Sequence, residues 1–86
     1  MEKELIRNTV LEYLSLRPTG AFDIYQITRM INMRGMLDLT LKDQDVEEAL
    51  TFLEGMAFVK VIRGGLGASK NFMVTTQGIL FYERGE

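Results

Sequence analysis

The feature that most constrains this chain is the order of patterns from residue 40 onward. A polar start at Thr40 opens an amphipathic run from Leu41 to Met56, and the apolar run Ala57–Arg63 follows with no linker between them. A glycine-rich stretch comes next, Gly64-Gly65-Leu66-Gly67-Ala68-Ser69, then a second strand-like run, Lys70–Val74, and then Thr75-Thr76-Gln77-Gly78. Helical spacing gives way here to alternation, with Phe58, Lys60 and Ile62 on one face and Val59, Val61 and Arg63 on the other. Two such strands joined by a short flexible turn make a hairpin. A sheet of two or three strands is not stable alone and needs helices to lie on.

The helices are readable from spacing. Ile6, Val10, Tyr13 and Leu14 recur at helical intervals, which predicts a first helix over about Lys3 to Leu16. Arg17-Pro18-Thr19-Gly20 ends it, because the residue before proline disfavours helical geometry. Asp23, with Gln26 three residues on, is a capping-box pattern for a second helix whose buried stripe is Ile24, Ile27 and Ile31. Gly35 suits the position just past its end, where glycine tolerates positive φ. Met30, Met33 and Met36 read as a core-lining stripe. Thr40 with Asp43 reads as the capping pair of the third helix. With Val46 at the centre of that helix's buried face, Leu50 and Leu53 fall within about 40° and Ala49 within about 60°. Gly55 reads as its end. Thr75 is placed to cap a short last helix from Thr76 to about Arg84, with Ile79 and Tyr82 touching the core.

Composition narrows the classes. At 86 residues the chain buries only about 60–65% of its unfolded surface, which supports one modest core and one domain, 1–86. It has no cysteine and no histidine. Disulfides, the usual zinc ligands, the cysteine nucleophile and the commonest general base are therefore missing. No apolar run reaches the roughly 20 residues of a membrane span. Arg7, Asn8 and Glu12 interrupt the segment where a signal peptide would need an unbroken apolar core. The expectation is a cytoplasmic protein that is not an enzyme, with no cofactor, no metal, no membrane partner and no catalytic residue. The net charge of −2 conceals an asymmetry. Residues 43–54 carry five acidic and no basic groups, whereas residues 55–86 carry four basic and two acidic.

Two stretches carry a family resemblance. Val46-Glu47-Glu48-Ala49-Leu50-Thr51-Phe52-Leu53-Glu54-Gly55-Met56-Ala57-Phe58-Val59 is similar to the third helix and following strand of many bacterial and phage winged-helix proteins. Val74-Thr75-Thr76-Gln77-Gly78-Ile79-Leu80-Phe81-Tyr82 resembles the segment after the wing in MarR-like and PadR-like proteins. The resemblance covers almost the whole chain. It implies an α+β winged helix-turn-helix fold with three main helices, a C-terminal β-hairpin wing and a short terminal helix. It further implies a small strand near Ala21 and Phe22 that pairs with the wing. The function it implies is duplex DNA binding, in the manner of a transcriptional regulator.

The candidate contacts divide into two sets. Lys60, Arg63 and Lys70 bracket the glycine-rich turn and fit two readings, phosphate contacts or charges that keep a hairpin edge soluble. Arg29 and Arg34 are surface cations that would add phosphate contacts. Gln44 and Thr51 are the residues of the third helix suited to base edges. The second set is Asp43, Asp45, Glu47 and Glu48 with Phe52. Duplex DNA carries a charge about every 1.7 Å of its axis, so carboxylates on a recognition helix oppose docking. The alternative is a protein-interaction module whose acidic third helix meets a basic protein partner. Either function is compatible with a homodimer through the first or last helix. The glycine-rich stretch lacks the Gly-Lys-Ser/Thr of a phosphate loop and reads as a flexible tip.

Overall fold

The computed structural model describes residues 2–63 and 70–85. Its elements are α1 (Glu2–Ser15), α2 (Ile24–Arg34), α3 (Asp43–Gly55), β1 (Val59–Arg63), β2 (Lys70–Val74) and α4 (Thr76–Arg84). The two strands pair antiparallel, from Val59 opposite Val74 to Arg63 opposite Lys70. Phe22 makes an isolated antiparallel bridge to Phe72, with Phe72 N donating to the Phe22 carbonyl at 2.8 Å and Phe22 N to the Phe72 carbonyl at 3.0 Å. The pairing with the wing that the resemblance implies near Ala21 and Phe22 is present as this single bridge, while the sheet itself has two strands. The glycine-rich stretch 64–69 lies outside the described residues.

Local chemistry accounts for most helix ends. Asp23 accepts from Gln26 N at 2.8 Å while Asp23 N donates to Gln26 Oε1 at 3.0 Å, so the expected capping box is present. Gly35 closes α2 at φ 62°, as expected. Thr75 Oγ1 accepts from Gly78 N at 3.0 Å at the start of α4. α1 runs one residue earlier at each end than the spacing predicts, and β1 begins at Val59, two residues later than the apolar run.

The start of α3 differs from expectation. Thr40 and Asp43 do not form its cap. The N-cap is Lys42, whose backbone N donates to Asp45 Oδ2 at 2.9 Å. The reason lies in Asn32, at the other end of the connection. Its Oδ1 accepts from Leu41 N at 2.9 Å and its Nδ2 donates to the Leu41 carbonyl at 3.0 Å. This clamp ties down both backbone groups of Leu41, whose side chain is buried in the core, and the helix opens only after it.

The end of α3 differs too. Gly55 belongs to the last turn, and the left-handed residue is Ala57, at φ 65°. Phe58 N donates to the Leu53 carbonyl and Ala57 N to the Glu54 carbonyl, both at 2.9 Å. Those two bonds, with Leu53 and Phe58 both buried, form a Schellman closure with alanine where glycine is usual. Thr75 braces the turn, with Oγ1 donating to the Ala57 carbonyl at 2.7 Å and N donating to the Phe58 carbonyl at 2.9 Å. Gly78 packs on that same carbonyl, where a Cβ would overlap the oxygen. The Thr-Thr-Gln-Gly sequence thus locks α4 onto the α3–β1 junction.

Ile6, Val10, Leu14, Ile27, Ile31, Val46, Leu50 and Leu53 are buried, as the periodicity predicts. Ile24 and Ile79 are only partly buried at the edge of this core. Leu11, Tyr13, Leu41, Ala49, Phe58, Val59, Phe72 and Val74 complete it. The methionine stripe is corrected: Met30 and Met36 pack against the core, but Met33 is 73% exposed. Tyr82 is also exposed, and Phe81 takes the expected core contact by stacking on Phe58, ring centroids 4.5 Å apart. The buried hydroxyls Thr9 and Thr28 donate to carbonyls one turn back, Leu5 and Ile24, each at 2.8 Å.

Candidate nucleic-acid interface

The hairpin register decides where the wing cations stand. Directly opposed residues of an antiparallel pair point to the same side of the sheet, and successive residues alternate. Val59 with Val74 and Val61 with Phe72 face the helices, three of these four side chains being fully buried. Arg63 and Lys70 are the next pair on that side and stand directly opposite each other. They lie past the end of the core and are exposed. Lys60 is opposite Met73 on the other side of the sheet. The hairpin therefore brings together two of the three wing cations and sets the third apart. Like charges directly across a ladder destabilise it, so Arg63 and Lys70 form a site of positive potential that an anion would relieve.

Arg29 and Arg34 are both exposed on α2. Five residues apart, they point about 140° away from each other. Arg34 sits in the last turn, where a cation is favoured by the helix dipole.

The outer face of α3 is acidic and largely self-engaged. Gln44, Glu47, Glu48 and Thr51 are all exposed and follow three- and four-residue steps along one side. Thr51 Oγ1 donates to the Glu47 carbonyl at 3.0 Å, and Gln44 Nε2 lies 3.5 Å from Glu48 Oε2. The two residues suited to base edges are therefore turned toward their own helix, one of them onto a carboxylate. Asp43 and Asp45 occupy the first turn, where acids are favoured by the dipole, and Asp45 serves the cap. Phe52 is 41% exposed, with the Arg7 guanidinium 3.7 Å above its ring. That cation–π contact ties α1 to α3 and follows no periodic signal in the sequence.

No group of three or more acidic side chains is placed to hold a metal ion among the described residues, and no helix there is long and apolar enough to cross a membrane.

Solved structures share this architecture. A transcriptional regulator from Clostridium thermocellum, Cth-833, superposes with a TM-score of 0.79 at 20% identity, over 93% of this chain and 75% of that one. SSV1 F-93 superposes with a TM-score of 0.66 at 23% identity, over 92% of this chain and 79% of that one. The fold is a winged helix-turn-helix, α+β, as the resemblance implies. No protein-family model and no curated protein matches the chain.

Proposed function

We propose that this chain is a small DNA-binding regulator that holds duplex phosphates mainly through its wing. The observation that carries this reading is the cross-strand pair Arg63 and Lys70, two exposed cations that the register holds face to face. Lys60 adds a third charge from the other side of the hairpin, and Arg29 and Arg34 add weaker ones from α2. Likeness of fold to a transcriptional regulator supports the same reading. The acidic outer side of α3 argues against deep major-groove docking, so Gln44 and Thr51 play a minor part.

Three phosphates neutralised by Lys60, Arg63 and Lys70 give a log–log salt slope near −3 and a generic affinity of about 10⁻⁴–10⁻⁶ M at physiological salt. Fluorescence anisotropy on a labelled generic duplex, titrated with salt, tests this. Replacing all three cations with alanine should nearly abolish binding. A triple variant that binds as well as the parent overturns the assignment of the surface.

A second reading rests on the continuous acidic strip of α3. Asp43, Glu47 and Glu48, with Phe52 beside Glu48, offer charge and one aromatic ring to a basic protein partner. It requires that the parent chain bind no duplex even at low salt. A homodimer through α1 or α4 fits the exposed apolar side chains Leu5 on α1 and Leu80 and Tyr82 on α4. Sedimentation of the parent against Leu80→Glu tests it, with a shift to monomer expected.

A further inference from the structure

Between the C-terminal end of α1, Phe22 and the first turns of α2 lies a cleft of about 520 Å³, a size common to sites for small organic ligands. Its walls are aromatic. The Phe22 ring meets Tyr13 edge to face, centroids 5.5 Å apart. It also lies over Gly20, where a Cβ would come within 2.6 Å of the ring, so Gly20 leaves the space in which Phe22 is seated. Tyr25 is 69% exposed at the mouth. Arg29 follows one turn later on the same side of α2. The Arg17 guanidinium is held in place, 4.3 Å over the Tyr13 ring and donating to the Tyr13 carbonyl at 3.3 Å.

The charge of the cleft is positive. Two guanidinium groups stand against one carboxylate, Asp23, which is engaged by Gln26 N at 2.8 Å in the helix cap. Aromatic surface with fixed guanidinium groups suits a planar ring that carries an anion. The surroundings favour a strand over a free molecule. The antiparallel Phe22–Phe72 bridge directs the chain from Phe22 into α2 toward the Asn71 and Lys70 end of the wing. The end of β2 toward which this chain runs carries a further exposed cation, Lys70. A paired base would have to leave its duplex to enter, whereas an unpaired one would not.

We infer that this cleft holds one unpaired nucleotide of a single strand, its base against Tyr25 and Phe22 and its phosphate between Arg17 and Arg29. The site shares only Arg29 with the weaker duplex contacts and does not rest on the wing contact at Arg63, Lys60 and Lys70, although a bound strand would run on toward Lys70.

The test is fluorescence anisotropy at low salt with a labelled oligothymidine, beside a blunt duplex of the same length. Thymidine monophosphate and a glutamate-rich peptide serve as competitors. The parent should bind the single strand. Tyr25→Ala should weaken it by about 5- to 150-fold, the usual effect of removing one stacked base, and Tyr25→Phe should leave it unchanged. The double variant Arg17→Ala, Arg29→Ala should flatten the salt slope by about 0.7, the value for one single-strand phosphate. Because Tyr25 and Arg29 are exposed, unfolding midpoints of Tyr25→Ala and Arg29→Ala should match the parent. A parent that binds oligothymidine through Tyr25 but binds no duplex supports this site and overturns the wing reading. The inference is overturned if oligothymidine fails to bind or if Tyr25→Ala binds it as the parent does. It is equally overturned if the mononucleotide or the acidic peptide competes as tightly as the strand.

Discussion

Replacing Gly78 with alanine probes the junction where α3, β1 and α4 meet. Considered alone, the change favours folding, because alanine is about 1 kcal/mol better than glycine inside a helix. The tertiary structure opposes it. The new Cβ would overlap the Phe58 carbonyl oxygen and come within 2.9 Å of Val74 Cγ2. Relief requires α4 to move off the turn, which stretches the bonds from Thr75 N to the Phe58 carbonyl and from Thr75 Oγ1 to the Ala57 carbonyl, 2.9 and 2.7 Å long. Overpacking costs about 1–3 kcal/mol, and each weakened hydrogen bond about 1 kcal/mol. With the propensity gain subtracted, Gly78→Ala should destabilise the protein by about 2–4 kcal/mol. Gly55→Ala is the matched control. It also lies in a helix, but a Cβ there meets nothing within 4 Å, so it should stabilise by up to about 1 kcal/mol. Urea denaturation followed by far-ultraviolet circular dichroism reads both changes as midpoint shifts at constant slope. A Gly78→Ala variant as stable as the parent, or more stable, refutes this account of the junction.

Three further outcomes are expected. Ala57→Gly should stabilise by about 0.5–1 kcal/mol in the same assay, since the left-handed conformation costs alanine about 1–2 kcal/mol and glycine gives back part of that in chain entropy. Leu50→Ala should cost about 2–5 kcal/mol, because Leu50 is 0% exposed; a loss under about 0.5 kcal/mol, typical of surface sites, would mean that this face of α3 is not core. The double change Glu47→Gln and Glu48→Gln should strengthen duplex binding by about 3- to 10-fold at low salt and by less at high salt, as screened repulsion requires; unchanged anisotropy titrations would show that α3 lies away from the DNA.

What this sequence determined by itself is the order of elements and those ends of them that local chemistry controls. The Asp23–Gln26 box, Gly35 and Thr75 act on backbone groups within three or four residues of themselves, so the chain carries their signals in plain view. Spacing likewise marked most of the buried faces, because a helix repeats every 3.6 residues wherever it lies. The charged residues of the candidate interface were visible as types, including the acidic run that sets α3 apart from a basic recognition helix. Tertiary structure decided the rest. Leu41 begins no helix because Asn32, nine residues away, already holds both of its backbone groups. Ala57 takes a conformation its side chain disfavours because Thr75 and Phe58 close the turn around it. Met33 points to solvent although its spacing matches its neighbours, since a periodic pattern does not say how wide a face the other helices will cover. Arg63 meets Lys70 only through the hairpin register, and the aromatic cleft forms only once the turn between α1 and α2 sets Arg17, Phe22 and Tyr25 around one space. Contacts between residues far apart in sequence depend on where whole elements settle. Local propensity does not encode that placement, which comes from burial of the shared core.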